Sequence, residues 1–592
     1  MKNREGISYL PVFSGGAFRL VSSKAMRLAL AFLCFSFAFS SYAVDIFVAP
    51  EGRGAMTGAD WPNALNGSRD GFHIDVKTAI TTAVAGGATE VNVYFAGGTY
   101  SVTNQLSLSS ITIPVKLSGG YLAETDGSLA KGETATTFSR TANNVRHINA
   151  SSMSDLRIEE ISFKNGLVSG GGQYGGALSL TSCETKVSKC SFVGNAAKAT
   201  KYAVSRGGAI YSENGSLSVR DCLFKSNYAT TTYSVERGGA ICTFKTKFLL
   251  DGSTFFGNYI STTGSAGGAT GGAVNVNGKE ANITNCVFGG NYVESTIGSG
   301  NGHPNGGALA IRSVERFEMT DCLLTNNWAR AAKGTFVSGC YFDDFYNGDG
   351  MMTAAVTRCV FDSRGIASKT ATGIKSDIAL NGGCLFMTNC LIAGASGTHT
   401  DMTNAVRTVS AKSPSNSFND LQKPMSGTSV NAIAYNSFAE LVNCSIVDGK
   451  GVGAVAIGDT ELKLKNCIVY GNTVADVINA TSIEYCCLQE AHEGEGNFVP
   501  ESLEALNWTG APYYHLLTKK ANGAITNGWF SGTYESARTA ADSPCIDAGA
   551  PHSPGLDLEP MPHGQRINLG AYGGTQWASM TSGSIGLILV VK

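Results

Sequence analysis

The stretch RGGAIYSENGSLSVRDCLFKSN, residues 206–227, contains the unit from which much of the chain is built. It begins with a glycine pair followed by small and aliphatic residues, and it ends in the pattern Cys-x-Phe-x-x-Asn. Such pairs occur five times, and an asparagine follows each first glycine after 20 residues, or 21 in the last case. The first glycines are Gly175, Gly207, Gly238, Gly271 and Gly306, and the asparagines are Asn195, Asn227, Asn258, Asn291 and Asn327. The segments from each Asn to the next pair vary in length, so a geometric constraint acts on the first unit only.

A second pattern, apolar-x-apolar-x-x-Cys-x-apolar, extends further along the chain. It reads LSVRDCLF at residues 217–224 and LKLKNCIV at residues 462–469. The Cys position is filled at Cys190, Cys222, Cys286, Cys322, Cys359, Cys390, Cys444, Cys467 and Cys486, with Ile161 and Ser253 as substitutes. Alternation with a period of two predicts strands with one buried face. The two-residue step before the Cys shifts the register, which predicts a corner.

Both patterns predict an all-β, single-stranded parallel β-helix in which equivalent strands of successive repeats stack about 4.8 Å apart. We expect the glycine pair to provide positive φ or close backbone approach at one corner. We expect the asparagine to adopt the left-handed conformation at another corner, with amides that hydrogen-bond between coils. At roughly 30 residues a coil, residues 90–500 would form about 13 coils.

The composition supports this prediction and limits the partners. The chain has 592 residues, 73 of them glycine, and only 15% are charged. A single globular core rarely grows this large, whereas a repeat array can. The formal net charge is −2. No run of Lys or Arg interrupts the sequence, so we expect no nucleic-acid partner.

The ends of the chain differ from the repeats. Lys24 and Arg27 precede a short apolar run and the small residues of SYA, which predicts a signal peptide over residues 1–43, with Met26 as an alternative start. Export to the surface or outside of a bacterium follows, without a transmembrane span in the mature chain. We predict an N-terminal cap and first coils at 44–110, with a short helix, Ile74 to Gly87. The remaining predicted regions are a β-helix at 111–500, a polar insertion at about 396–437 and a C-terminal cap region at 501–592.

Two families resemble parts of this sequence. The GGA[IVL] and FxxN pairs over roughly residues 160–330 resemble those of chlamydial-type polymorphic outer membrane proteins. That resemblance implies a right-handed β-helix at the outer membrane with a role in adhesion. The C-terminal SPCIDAG and GQRINLGAYGG segments are similar to the end of secreted bacterial right-handed β-helix proteins of the pectin-lyase-like superfamily. The matching residues are Asp547, Gly549, Arg566, Gly570, Ala571 and Tyr572.

Two groups of residues are candidates for chemistry. The ladder cysteines would lie parallel in neighbouring coils, which suits buried thiols better than disulfides. The acidic cluster YFDDFYNGDG, residues 341–350, reads as a polar loop. If it is instead a lyase site, Asp343, Asp344 and Asp349 would hold Ca²⁺ and Lys375 would act as the base.

The variable segments carry the leading functional prediction. They all leave from the Asn corner, so in a solenoid they stack on one side and form a surface rich in Ser, Thr and Tyr. We therefore predict an adhesin-like scaffold without a cofactor that binds a host or cell-surface glycan or protein. The alternative is a carbohydrate-active enzyme, either a polysaccharide lyase or a glycoside hydrolase, and only the lyase would use Ca²⁺.

Overall fold

The structure is a computed structural model, and it describes most of the chain after the predicted signal peptide. The described residues run from 42 to 581, without 69, 125, 127, 201–202, 233–236, 264–268, 296–304, 331–335, 345–351, 365–374, 395–428, 436–437, 458–459, 512–513, 520–524, 529–530 and 535–540. The predicted signal peptide lies almost wholly outside these residues, and it stays a prediction.

The fold is a parallel β-helix, as the repeat predicts. A typical coil contributes two strands to a first sheet and one to a second sheet, whereas two coils contribute the single long strands Val274–Thr284 and Leu309–Thr320 to the first sheet. In the described part of the chain these sheets contain 25 and 13 strands. All pairings within the two sheets are parallel and join equivalent residues of successive coils, for example Phe192 with Phe224 and Phe224 with Phe255. The 13 strands of the second sheet agree with the coil number expected from the repeat length.

The strands of the first sheet alternate between two positions of the coil. They are Ala43–Ala49, Leu65–Asn66, Glu90–Ala96, Leu106–Ser109, Val115–Tyr121, Ile148–Ser151, Leu156–Glu159, Leu178–Thr181, Glu184–Ser188, Ile210–Glu213, Ser216–Arg220, Ile241–Phe244, Lys247–Asp251, Val274–Thr284, Leu309–Thr320, Phe336–Asp343, Thr353–Thr357, Lys375–Asn381, Cys384–Thr388, Ser429–Tyr435, Phe438–Val442, Gly451–Ile457, Glu461–Lys465, Ala475–Ile478 and Ser482–Glu484.

The second sheet lies one corner further along each coil. Its strands are Gly98–Val102, Thr136–Arg140, Ile161–Lys164, Ser191–Val193, Leu223–Lys225, Thr254–Phe256, Val287–Gly289, Leu323–Thr325, Val360–Asp362, Leu391–Ala393, Ser445–Val447, Ile468–Tyr470 and Cys487–Leu488.

Among the described residues, a third sheet of six strands belongs to the coils that carry the Asn repeat and to the one before them. We call it the lateral sheet. Its strands are Leu167–Gly170, Ala196–Ala199, Tyr228–Thr231, Tyr259–Thr262, Tyr292–Ser295 and Trp328–Arg330. Two small sheets complete the strands: the parallel pair Gln173–Tyr174 and Ser205–Arg206, and the antiparallel pair Ile525–Gly528 and Ser531–Tyr534.

The interior of the coil is a stack of apolar side chains. Phe192, Phe224, Phe255 and Phe288 lie one above the other, with ring centroids 4.6 to 4.9 Å apart, and all are buried. Burying aromatic surface is the main favourable term for such a column. One apolar cluster runs without interruption from Ile46 to Leu488.

The predicted N-terminal helix is present and begins two residues earlier than expected, at Phe72–Ala85. Gly86 caps it, and Phe72, Val76 and Ile80 are buried against the first coils. In the described part of the chain, three 3₁₀ turns also occur: Trp61–Asn63, Glu504–Leu506 and Leu556–Leu558. No helix among the described residues is long and apolar enough to cross a membrane.

Most of the predicted insertion at 396–437 lies outside the described residues. Its last part is not an insertion, because Ser429–Tyr435 forms a strand of the first sheet between Lys375–Asn381 and Gly451–Ile457. The prediction was therefore too long at its C-terminal end.

After the last coil, the described residues between 498 and 581 contact the outer face of the second sheet. We call these residues the C-terminal segment. Its Tyr514, Ala571 and Tyr572 pack against Leu391 and Val447, which point outward from the coils. A second cluster joins it to the coils through Ile468, Tyr470 and Cys487 on one side and Leu506, Leu516, Cys545 and Leu569 on the other.

Candidate functional site

The glycine pair forms the corner at which each coil enters the first sheet. All five first glycines have positive φ, between 62° and 77°. A Cβ on Gly207 would lie 2.1 Å from the Ile210 carbonyl oxygen, and one on Gly208 would lie 2.2 Å from that of Gly239 in the next coil. The first glycine is therefore required for its conformation and the second for the close approach of neighbouring coils. Both predicted reasons apply, one to each residue.

The asparagines form a buried ladder between coils. Asn227 Nδ2 donates to the Phe192 carbonyl oxygen at 2.9 Å and to Asn258 Oδ1 at 2.9 Å. The backbone N–H of Asn227 donates to the same Oδ1 at 3.0 Å. The pattern also holds at Asn195, Asn258 and Asn291, and the ladder ends at Asn327, whose Nδ2 donates to the Phe288 carbonyl oxygen at 2.8 Å. These amides satisfy one another and the corner backbone, so they are structural groups.

The predicted left-handed conformation of these asparagines is wrong. Positive φ occurs instead at the preceding residue, and these residues are Gly194, Ser226, Gly257, Gly290 and Asn326. The bend therefore lies one residue before the Asn, which leaves the Asn side chain directed into the coil where it meets its neighbours.

The cysteines mark the corner between the two main sheets. All nine are buried, as predicted, and the residue before each has positive φ, for example Asp221 before Cys222. The Cys222 thiol donates to the Arg220 carbonyl oxygen at 3.1 Å, and Cys467 donates to that of Lys465 at 3.3 Å. Ser253 does the same to Asp251 at 3.0 Å. The position is thus more than a small apolar one, because its thiol or hydroxyl gives a second hydrogen bond to a carbonyl oxygen that already accepts a backbone N–H, as Arg220 does from Lys189 at 2.9 Å.

One member of the Asn ladder was missed in the sequence. Asn472 lies five residues after Cys467, the same offset as Asn227 after Cys222. Its Nδ2 donates to the Ile446 carbonyl at 3.1 Å, and its Oδ1 accepts from the Gly449 N–H at 3.2 Å. The offset from the Cys, rather than from a glycine pair, would have revealed it.

The lateral sheet presents an aromatic row. Tyr228, Tyr259, Tyr292 and Trp328 occupy equivalent outward positions and stack with centroids 4.9, 4.8 and 4.2 Å apart and planes within 4°. All four are half-buried, since each ring covers its neighbour's face and leaves its edge exposed. Burial, together with the neighbouring phenols, raises the pKa of Tyr259 to about 12, so its hydroxyl stays protonated.

A polar row runs beside the aromatic row, two residues further along each strand. It consists of Ser169, Lys198, Thr230, Ser261, Glu294 and Arg330. Arg330 pairs with Glu294 at 3.6 Å, and the Lys198 ammonium lies 5.2 Å from the Tyr228 ring centre. The predicted stacking of the Asn-to-Gly segments on one side is therefore confirmed for their first residues, which are strands rather than loops.

The candidate acidic cluster starts in a strand, not in the loop that the sequence suggested. Asp343 ends the strand Phe336–Asp343 and is 1% exposed. Its Oδ2 accepts from Arg312 Nε and Nη2, both at 2.9 Å, and its Oδ1 accepts from Asn381 Nδ2 at 3.0 Å. A buried carboxylate needs such partners, so these bonds account for Asp343 without a ligand.

The other candidates of that cluster are less closely associated. Asp344 Oδ2 accepts from the Met352 N–H at 2.9 Å. Asp349 lies outside the described residues, and Lys375 is described only as the first residue of the strand Lys375–Asn381. Among the described residues, no three His, Cys, Asp or Glu side chains come together in a way that could hold a metal ion.

The C-terminal motif residues hold the C-terminal segment together and attach it to the coils. Arg566 donates to the Ala548 carbonyl at 2.5 Å and to the Gly549 carbonyl. The Ala571 N–H donates to Ser445 Oγ at 3.0 Å. In turn, Asn389 Nδ2 donates to the Ala571 carbonyl oxygen at 3.1 Å.

A buried carboxylate lies behind this motif. Glu559 Oε1 accepts from the Asn568 and Gly574 N–H groups at 2.8 and 2.6 Å, whereas Oε2 is buried without a hydrogen-bond partner among the residues that the structure describes. Burial raises the pKa of Glu559 to about 7.

Comparison with known proteins adds no identification. No known protein family matches the chain, and no curated protein matches it.

Proposed function

We propose that this chain is an exported bacterial protein, secreted or held at the cell surface, that binds a host or cell-surface glycan or protein through its lateral sheet. Under this proposal it is an adhesin-like scaffold and catalyses no reaction. The observation that carries the proposal is the four-ring aromatic row with its neighbouring polar row.

The aromatic row supports recognition through ring edges rather than ring faces. Tyr228, Tyr259 and Tyr292 place phenol groups at intervals of 4.8 to 4.9 Å on one flat surface. Tyr supplies large, rigid contact area together with a hydroxyl that donates and accepts, and Tyr, Trp and Arg are enriched where binding energy concentrates. The adjoining Ser, Thr, Lys, Glu and Arg side chains add adaptable polar contacts.

The fixed residues of the repeat support the same proposal by their structural roles. The glycines, asparagines and cysteines are all committed to corners and to the interior, which leaves the lateral sheet and its connections as the part that differs between repeats. Per-repeat variation on one face of a solenoid is typical of a binding surface. Asp343, whose oxygens are bonded to Arg312 and Asn381, lends no support to the lyase alternative.

The test measures binding of the purified full chain to host cells and to a glycan array. The double variant Tyr259→Ala, Tyr292→Ala should lose at least tenfold in affinity. Phe256→Ala is the matched control, since Phe256 is an aromatic residue exposed on the second sheet, and its affinity should not change. Thermal unfolding of each variant separates loss of binding from loss of fold.

The outcome that overturns the proposal is turnover. The chain is incubated with pectate, alginate and neutral glycans, with and without Ca²⁺. Unsaturated or reducing products that disappear in the triple variant Asp343→Ala, Asp344→Ala, Asp349→Ala or in Lys375→Ala would identify an enzyme. If the Tyr259→Ala, Tyr292→Ala variant binds as tightly as the wild type, the lateral sheet is not the binding surface.

A further inference from the structure

Two cysteines outside the ladder meet where the C-terminal segment joins the last coil. Cys487 belongs to the last strand of the second sheet, and Cys545 belongs to the C-terminal segment. Both are fully buried in one apolar cluster. The two thiols lie within hydrogen-bonding reach of each other, and this contact, followed by burial, raises the pKa of Cys487.

Neighbouring ladder thiols also contact one another, as the Cys359 thiol does those of Cys322 and Cys390, but the geometry of these contacts is different. Each ladder cysteine donates its thiol to the carbonyl oxygen two residues earlier, as Cys390 does to Thr388 at 3.4 Å and Cys444 to Val442 at 3.4 Å. They occupy the same position of parallel coils, so neighbouring Cβ atoms are about 4.8 Å apart and point in the same direction. A disulfide needs Cβ atoms about 3.8 Å apart and side chains that converge, so the ladder disfavours crosslinks.

Cys487 points away from this ladder because it follows Cys486, and successive residues of a strand face opposite sides. Cys486 lies in the interior cluster, whereas Cys487 lies in the cluster beneath the C-terminal segment. In the described part of the chain, neither the Cys487 nor the Cys545 thiol donates to a carbonyl oxygen, in contrast to the ladder thiols.

The backbone on both sides of the contact is fixed by hydrogen bonds. The Cys487 N–H donates to the Cys467 carbonyl at 2.9 Å, and the Cys545 carbonyl accepts from the Leu569 N–H at 2.9 Å. The Cys545 N–H donates to Ser543 Oγ at 3.3 Å. The strand partner of Cys487 in the sheet is Ile468, so Cys545 is not its register-equivalent neighbour. The parallel placement that disfavours crosslinks in the ladder therefore does not apply to Cys487 and Cys545.

We propose that Cys487 and Cys545 form a disulfide that ties the C-terminal segment to the last coil. The crosslink rests on the proposed function in one respect, because export places the chain where thiols are oxidised. Binding by the lateral sheet is not required for it.

The oxidation is a thiol–disulfide exchange with a small-molecule or protein disulfide. One cysteine, as its thiolate, attacks a sulphur of the oxidant and releases one reduced thiol, leaving a mixed disulfide. The second thiolate attacks the cysteine sulphur of that mixed disulfide and releases the other reduced thiol. The two cysteines lose two protons and two electrons, and the oxidant disulfide becomes two thiols. Because both sulphurs are buried in the folded chain, the exchange takes place before the C-terminal segment docks.

The first test is direct identification of the crosslink. The full chain is refolded with oxidised and reduced glutathione, alkylated in denaturant and digested without reductant. Mass spectrometry should find one crosslinked peptide pair containing Cys487 and Cys545, two hydrogens lighter than the separate peptides, with the ladder cysteines alkylated. Alkylation of both Cys487 and Cys545 in the oxidised protein, or crosslinks between ladder cysteines instead, would overturn the proposal.

The second test measures the stability of the folded chain with and without reductant, and it distinguishes failure of the disulfide proposal from failure of the export proposal. Reductant should lower the urea midpoint of the oxidised wild type and leave Cys487→Ser, Cys545→Ser unchanged, whereas the control Cys467→Ser should respond like the wild type. A midpoint of the wild type that is insensitive to reductant would count against the crosslink. The disulfide could form on refolding and yet be absent from protein recovered from cells. That result would contradict the proposed export but would still support the pairing of Cys487 with Cys545.

Discussion

The coils from Gly175 to Arg330, here the early coils, and those from Cys340 to Leu488, the late coils, share one interior but are held differently at their outer side. In the early coils the Asn ladder and the glycine corners join each coil to the next. In the late coils Asn389, Asn443 and Asn466 bond to the C-terminal segment instead, as in the Asn443 Nδ2 bond to the Gly573 carbonyl at 3.2 Å.

The outer face of the second sheet shows the same division. Leu223 and Phe256 of the early coils are 40% and 56% exposed, whereas Leu391, Val447 and Ile468 of the late coils are buried. The early coils thus depend on contacts between repeats, and the late coils depend on a segment that is remote in sequence. In a regular repeat, the polar groups at each corner bond to the equivalent groups of the next coil. In an irregular repeat, they need partners from another part of the chain.

The largest effect should come from the glycine corner of the early coils. Gly207→Val adds a branched side chain at φ 62° with its Cβ 2.1 Å from a carbonyl oxygen. We expect loss of about 4 kcal/mol or more, or no soluble protein. Gly290→Ala is the control, because φ there is 60° but no atom lies within 4 Å of the added Cβ, and it should cost about 1 kcal/mol. Urea unfolding measures both, and similar costs would show that the clash is relieved.

The next effect compares the Asn ladder in the two regions. Asn258→Ala removes the bonds to the Phe224 carbonyl oxygen and to Asn291 Oδ1. It also leaves the Asn227 side-chain and backbone N–H groups without their acceptor, Asn258 Oδ1. With several buried groups left unpaired, we expect a cost of about 3 kcal/mol or more.

Asn472→Ala removes bonds to the Ile446 carbonyl oxygen, the Gly449 N–H and the Asp476 carboxylate. The equivalent positions of the coils on either side are Gly449 and Ala491. No neighbouring Asn amide therefore loses its partner, and the cost should be about 1–2 kcal/mol. An equal or larger cost at Asn472 would contradict the division between early and late coils.

The third effect is a pH dependence specific to the C-terminal segment. The pKa of Glu559 is raised to about 7 from an ordinary value of 4.5. Its protonated form is therefore the one favoured by folding, and the stabilisation is complete below pH 4.5 and is lost as the pH rises through about 7. The change is about 3 kcal/mol at most. In Glu559→Gln the free energy of unfolding should no longer fall between pH 4.5 and 7. If it still falls by the same amount in this variant, the pH dependence arises from other groups.

The smallest effect concerns the cysteine corner. Because Ser253 already fills one ladder position and donates to the Asp251 carbonyl, Cys222→Ser should cost less than about 1 kcal/mol. Cys222→Ala, which removes the sulphur that accepts from the Cys190 N–H at 3.4 Å and opens a small void, should cost about 1–3 kcal/mol. Thermal unfolding that ranks Ser below Ala would show that packing rather than hydrogen bonding decides the position.

The early coils could be predicted from the sequence because their constraints recur at fixed spacing. The glycine pairs, the buried Cys positions and the Asn amide ladder follow from repetition alone. The error about Asn conformation arose because Asn and the residue before it both suit a left-handed corner, and spacing cannot separate neighbours. Ser226 and Asn326, which take that conformation, gave no stronger signal than the Asn beside them.

The late coils and the acidic cluster could be predicted less well. Contacts such as that between Asn389 and Ala571 join residues far apart in sequence without any periodic pattern. Asp343 looked like part of a polar loop because its partner Arg312 lies one coil away, and only the register of the two strands brings them together. An ion pair between neighbouring coils cannot be recognised in the sequence until the register of their strands is known.

The most direct test of this account is amide hydrogen exchange on a chain that ends at residue 497, compared with the full chain. Without the C-terminal segment, protection should fall in the late-coil strands Leu391–Ala393, Ser445–Val447 and Ile468–Tyr470. The early-coil strands Ser191–Val193, Leu223–Lys225 and Thr254–Phe256 should keep theirs. Equal loss of protection in both regions, or no loss in either, would contradict the division between coils that hold each other and coils that are held by the C-terminal segment.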